Sequence, residues 1–141
     1  MYPAEQHILV VQNNAAARES IGHILCDEGF AVTAVAEGLA ALRAVQRGNF
    51  DLIVAALDLP GTLDGLATVR QARARQPGLR ALFTADFTPR KHWDDPDLDD
   101  FIALPFHRRE LLGCVFELLQ RDVVPGAADL ARRCRTDRRA S

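Results

Sequence analysis

The chain has 141 residues, 48% of them hydrophobic and 26% charged, with a formal net charge of −2. That length suits one domain around a single core and leaves no room for a second, and the balance excludes a disordered or fibrous chain. The longest apolar runs, Ile8 to Val11 and Leu52 to Leu57, fall far short of the ~20 residues a bilayer crossing needs, and the opening segment lacks a basic stretch leading into an apolar one, so the expectation is a cytoplasmic protein with neither secretory signal nor membrane association.

His7 to Val11 is a short apolar run that ends at Gln12-Asn13-Asn14, side chains that cap helices or bond locally in turns. It predicts a buried strand leading into a helix. From Ala15 to Glu28 the residues Ile21, Ile24 and Leu25 follow helical spacing, and Gly29 is a C-terminal stop. Phe30 to Ala36 is a second strand. Gly38 to Arg47 places Leu39, Leu42 and Val45 at three-residue intervals, with Gly48-Asn49 ending the helix. Asp51 to Ala56 is a third strand. After a Pro60-Gly61 turn, Leu66, Val69 and Ala72 mark a third helix whose other face carries Arg70, Arg73 and Arg75, closed by Pro77-Gly78.

Leu79 to Ala85 is a fourth strand. Asp86 to Asp100 contains two prolines and six aspartates without an amphipathic period, which predicts a short or broken helix. Phe101 to Leu104 is a fifth strand, and Arg108 to Arg121 a helix with Leu111, Leu112, Val115, Phe116, Leu118 and Leu119 as its apolar stripe. Strands alternating with helices need crossover connections, so the sheet is expected to be parallel and doubly wound, an α/β fold with helices on both faces.

Three cysteines, Cys26, Cys114 and Cys134, show no metal-ligand spacing and read as buried or unreactive thiols. Charge is unevenly placed: residues 127–141 carry +3 through Arg132, Arg133, Arg135, Arg138 and Arg139 against two aspartates, so the preceding residues carry −5. No glycine-rich phosphate loop follows the first strand, and His7, His23, His92 and His107 lie on separate elements without a triad or metal motif. The chain is therefore not expected to be an enzyme or to hold a metal or cofactor.

In an open α/β sheet the residues at the carboxyl ends of the strands converge on one crevice. The order and spacing of Ile8-Leu9-Val10-Val11, the turn Leu59-Pro60-Gly61 followed by Asp64-Gly65-Leu66, the strand end Phe83-Thr84-Ala85, and Pro105-Phe106 resemble the receiver domain of the two-component response-regulator family. The resemblance runs from about Gln6 to Arg121. It implies a receiver-like domain over residues 1–121, a receiver/flavodoxin-like five-stranded sheet in the order 2-1-3-4-5, and a basic C-terminal tail over 122–141, helical or disordered.

Such domains carry an acidic pair after the first strand, a phosphoacceptor aspartate ending the third, a serine or threonine ending the fourth, and lysine-proline after the fifth. The corresponding residues here are Gln12-Asn13, Ala56, Thr84 and Leu104-Pro105. The resemblance thus implies a degenerate phosphorylation pocket made of Gln12, Asn13, Ala56, Thr84 and Leu104. Asp58 lies two residues beyond the acceptor position and is expected to face solvent from the turn. Phe101 stands where the family places its switch aromatic, and its own sequence context predicts core packing.

The expected function is that of an atypical receiver domain in two-component or phosphorelay-type signal transduction, acting by phosphorylation-independent protein–protein interaction. The partner would be a signalling protein, a histidine kinase, another regulator or an effector, or a second copy of the chain. Trp93, in the acidic run Asp94, Asp95, Asp97, Asp99 and Asp100, is a candidate anchor beside Phe106 and Arg108. Two alternatives stand: a small ligand in the altered crevice, or a nucleic-acid-associated regulator using the arginine-rich tail. The second is disfavoured because no helix-turn-helix follows the receiver-like part.

Overall fold

The computed structural model describes residues 6–85 and 100–120. Five strands, β1 (His7–Val11), β2 (Ala31–Val35), β3 (Leu52–Ala56), β4 (Arg80–Ala85) and β5 (Asp100–Ala103), form one sheet in the order β2-β1-β3-β4-β5. Every neighbouring pair is parallel. The helices are α1 (Ala15–Asp27), α2 (Gly38–Arg47), α3 (Gly65–Arg75) and α4 (Arg108–Leu119). The predicted stretch Asp86 to Asp99, with Trp93, and the tail beyond Gln120 lie outside the described residues.

Because successive strand residues face opposite sides, each strand feeds two cores. Leu9, Val11, Ile53, Ala55, Phe83 and Phe101 pack under α2 and α3, whereas Ile8, Val10, Leu52, Val54, Leu82 and Ile102 pack under α1 and α4. Burial on both faces explains why the inner strands β1 and β3 read as nearly unbroken apolar runs rather than alternating ones, whereas the edge strand β2 is only partly buried.

Local chemistry fixes the helix ends. The Asn14 carboxamide oxygen accepts from the Ala17 N–H at 2.9 Å and the Asp64 carboxylate from the Ala67 N–H at 2.8 Å, each satisfying a first-turn donor. Gly29 takes φ = 95°, the left-handed conformation that ends α1. The Gln76 side chain ties the end of α3 to the end of α2 and the loop that follows it: it donates to the carbonyls of Gly48 at 2.8 Å and Val45 at 3.2 Å and accepts from the Phe50 N–H at 3.0 Å.

Four expectations change. The inward face of α2 is Gly38, Ala41 and Val45, while Leu39 is 52% exposed; Gly38 sits so close to Leu63 and Thr68 that a larger residue could not take its place there. Asp100 does not belong to a loop: it opens β5, paired with Leu82, and is buried. Cys26 is exposed, whereas Cys114 is buried in the α4 face. Phe116 also departs from its stripe, partly exposed and tilted against Phe30 at 5.7 Å between ring centroids.

Candidate functional site

Register places the site. Val11 pairs with Ala55, and Ala56 pairs with Thr84, so Gln12, Ala56 and Thr84 follow one another across the carboxyl ends of β1, β3 and β4. Above this row opens a crevice of about 350 Å³. Its floor is Gln12, Ala56, Thr84, Ala85 and Leu104, and its rim Asn13, Asn14, Ala17 and Asp58. All five residues expected at the degenerate pocket, Gln12, Asn13, Ala56, Thr84 and Leu104, therefore line one cavity. Phe101 does not line it; it is 3% exposed in the core beneath α2 and α3.

The two polar residues of the floor are bonded to each other. Gln12 and Thr84 are 2% and 1% exposed. The Gln12 Nε2 donates to Thr84 Oγ1 at 2.9 Å, and that hydroxyl lies 3.3 Å from Gln12 Oε1 as a second partner. Strands β1 and β4 are two steps apart, roughly 10 Å, so the Gln12 side chain reaches over the position of Ala56. A methyl group there leaves the path open. Main-chain bonds lock the surrounding frame: Leu57 N–H to Thr84 O at 2.9 Å, Gly65 N–H to Leu57 O at 3.0 Å, and Leu104 N–H to Ala85 O at 2.8 Å. Gly65 has its α-carbon against the Ala56 carbonyl, an approach that excludes a side chain.

Sequence reasoning missed Arg18. Its guanidinium donates to the Gln12 carbonyl at 2.8 Å and to the Asn13 carbonyl at 3.3 Å, bracing the β1–α1 turn from behind. The available signal was spacing, since four residues after the Asn14 cap is one helical turn on. Asp58 is exposed, as expected, yet it also stands on the rim, the one carboxylate among the described lining residues. Among the described residues no group of three or more His, Cys, Asp or Glu side chains is arranged to hold a metal ion.

Of the candidate partner residues, Phe106 is half-buried against the α1–α4 core and Arg108 reaches back to α1, 3.4 Å from Asp27 and 3.2 Å from Glu28. The two are close neighbours at the start of α4. Trp93 is outside the described residues.

With fold and site in view, comparison assigns the class. A family model described as the response regulator receiver domain matches residues 8–116, and the chain belongs to that family. It is a receiver domain of the two-component response-regulator type.

Among curated relatives, the response regulator MprA of Mycobacterium leprae is 34% identical over 125 residues, which is 86% of this chain and 54% of that protein. The transcriptional regulatory protein TcrA of Mycobacterium tuberculosis is 32% identical over 121 residues, 84% of this chain and 47% of that protein. The chain thus spans about half the length of the curated relatives it matches. Among solved structures, the receiver domain of the sensor histidine kinase PA1611 from Pseudomonas aeruginosa, with a magnesium ion coordinated in its active-site cleft, is 31% identical with a TM-score of 0.71, covering 84% of this chain and 97% of that one. A CheY-like receiver domain protein from Methanospirillum hungatei reaches a TM-score of 0.77 at 23% identity over 83% of this chain and 95% of that one, a likeness of fold.

Proposed function

We propose that this receiver domain signals by protein–protein interaction without accepting a phosphoryl group. The observation that carries the reading is the row Gln12–Ala56–Thr84, in which a methyl group and a bonded amide occupy the centre of the crevice. Phosphoryl transfer to such a domain needs a carboxylate nucleophile and a hard divalent cation held by oxygen ligands that include carboxylates. The described residues do not fit a magnesium site: Ala56 has no donor atom, the Gln12 amide is bonded to Thr84, and Asp58, at the exposed rim, is the one carboxylate among the described lining residues.

The replacements are mutually consistent. Losing the carboxylates and the lysine together leaves no unpaired charge in a partly buried crevice, which would otherwise cost several kcal/mol by the general scale of about 3–5 for a broken buried pair. Receiver domains work with histidine kinases and effectors, and a partner of that kind is the proposed one here, with Phe106, Arg108 and Trp93 as candidate contacts. Incubation with acetyl phosphate and Mg²⁺ followed by intact mass measurement tests the reading. No phosphoryl adduct is expected. An adduct that persists after the hydroxyl residues are mutated would sink the proposal.

A further inference from the structure

We infer that the crevice is a binding site for a small uncharged molecule bearing a carboxamide, lactam or similar paired donor–acceptor edge. This inference rests on the reading that the crevice takes no phosphoryl group. Its size, about 350 Å³, falls within the range of small-molecule sites. The chemistry follows from the inventory of its walls. Amides and hydroxyls both donate and accept, so they recognise ligand groups that do both.

Gln12 is the central element. A primary amide offers two N–H donors and two carbonyl lone pairs; Thr84 engages one N–H and one lone pair at most. One of each remains on a side chain that is 2% exposed, in the floor of an open cavity. In an open cavity water takes up that capacity, and a ligand edge that replaces the water with a matched donor and acceptor gains the net difference. Asn13 at the rim repeats the same donor–acceptor pair, and Ala56, Ala85 and Leu104 supply apolar contact for a flat ring or alkyl body.

Charge sets the class. Among the described residues no cationic side chain lines the crevice, and Asp58 puts a negative charge on the rim. The Arg18 guanidinium is directed at the Gln12 and Asn13 carbonyls. Against the described lining an anion would lose hydration without a counter-charge, whereas an uncharged amide edge carries no charge that needs one. Asp58 is exposed and keeps its own hydration, so the ligand has no need to be a cation.

The test is titration of the full-length ¹⁵N-labelled chain with nicotinamide, with uracil and, separately, with inorganic phosphate. Saturable shifts of the Gln12 and Asn13 side-chain amides and of the Ala56 and Thr84 backbone amides are expected with at least one of the two neutral probes and not with phosphate. Ala56→Leu, which fills the cavity, should abolish them. Asn13→Asp, an exposed change that keeps the shape and removes the donors, should weaken binding about tenfold, the loss of one good hydrogen bond. Asp58→Asn should leave affinity within about twofold, as for a rim charge that the ligand does not use.

Three results overturn the inference: no saturable shift with either neutral probe at tens of millimolar, displacement of the neutral probe by phosphate, or loss of binding in Asp58→Asn. Acetyl phosphate modification of the chain would instead defeat the underlying reading, so the two failures are separable.

Discussion

The amide of Gln12 donates to the hydroxyl of Thr84 at 2.9 Å, joining residues 72 positions apart across the strand that lies between them. Both groups are buried, so each is the other's substitute for water. Thr84→Val or Gln12→Leu alone strands one polar group and should cost about 1–3 kcal/mol, whereas the double variant removes both and should recover part of that loss. Urea unfolding of the four proteins gives the coupling, expected near ~1 kcal/mol. Strict additivity would mean that the bond contributes nothing.

Much of this arrangement was legible in the sequence because the inner strands of a buried parallel sheet are short, mostly apolar runs separated by helix caps and glycines. The boundaries of α2 matched to the residue, since Gly38 and Gly48 punctuate it. The facing of α2 was not legible: Leu39, Leu42 and Val45 have helical spacing, but Ala41 faces inward because α2 lies close over α3, and pattern alone does not tell an alanine that packs from a leucine that does not. Asp100 was misplaced for the opposite reason, an aspartate beginning a buried strand against all strand preference. The convergence of Gln12, Ala56, Thr84 and Leu104 came from topology and family resemblance. The Gln12–Thr84 bond was invisible, because nothing in spacing reveals which two of several polar residues will meet across 72 positions.

Glycines at two sites make opposite predictions. A Cβ at Gly65 would meet the Ala56 carbonyl oxygen and come within 2.9 Å of the Leu57 Cα, both backbone atoms with no easy retreat. Gly65→Ala should therefore destabilise the domain by about 2 kcal/mol, the middle of the range for overpacking, and disturb the crevice floor. Gly113, exposed in the middle of α4, meets nothing within 4 Å. There alanine should stabilise by about 0.5–1 kcal/mol through backbone entropy and helix propensity. Thermal melts of the two variants should move in opposite directions; a shared direction would contradict the close approach at Gly65.

Arg108 forks between Asp27 and Glu28 and so clasps the end of α1 to the start of α4. All three side chains are at least one-third exposed, so solvent screens the pair energies. Arg108→Ala should cost no more than about 1 kcal/mol in low salt, and the difference from the parent should shrink as salt rises toward 1 M. A loss that is large and insensitive to salt would mean that the arginine stem is packing against the core rather than pairing.

The decisive substitution is at the row's centre. Ala56→Asp restores a carboxylate at the family's acceptor position, yet it does so beneath a Gln12 side chain that spans the same space to reach Thr84. Among the described lining residues the second carboxylate is Asp58, out on the exposed rim, and none is a cation, so a divalent ion gains one inward charged ligand and the new charge is unbalanced in a partly buried site. The single variant is expected to be less stable by about 1–2 kcal/mol, within the usual range for an unpaired polar insertion, and to take up no phosphoryl group from acetyl phosphate. Adding Gln12→Asp, Asn13→Asp and Leu104→Lys supplies two further carboxylates and an ammonium while removing the bond to Thr84. Magnesium binding by calorimetry, followed by a phosphoryl adduct in the intact mass, should then appear in the combined variant alone. If Ala56→Asp by itself becomes labelled, the amide bridge is no barrier, and the crevice is a phosphorylation site that lacks only its nucleophile.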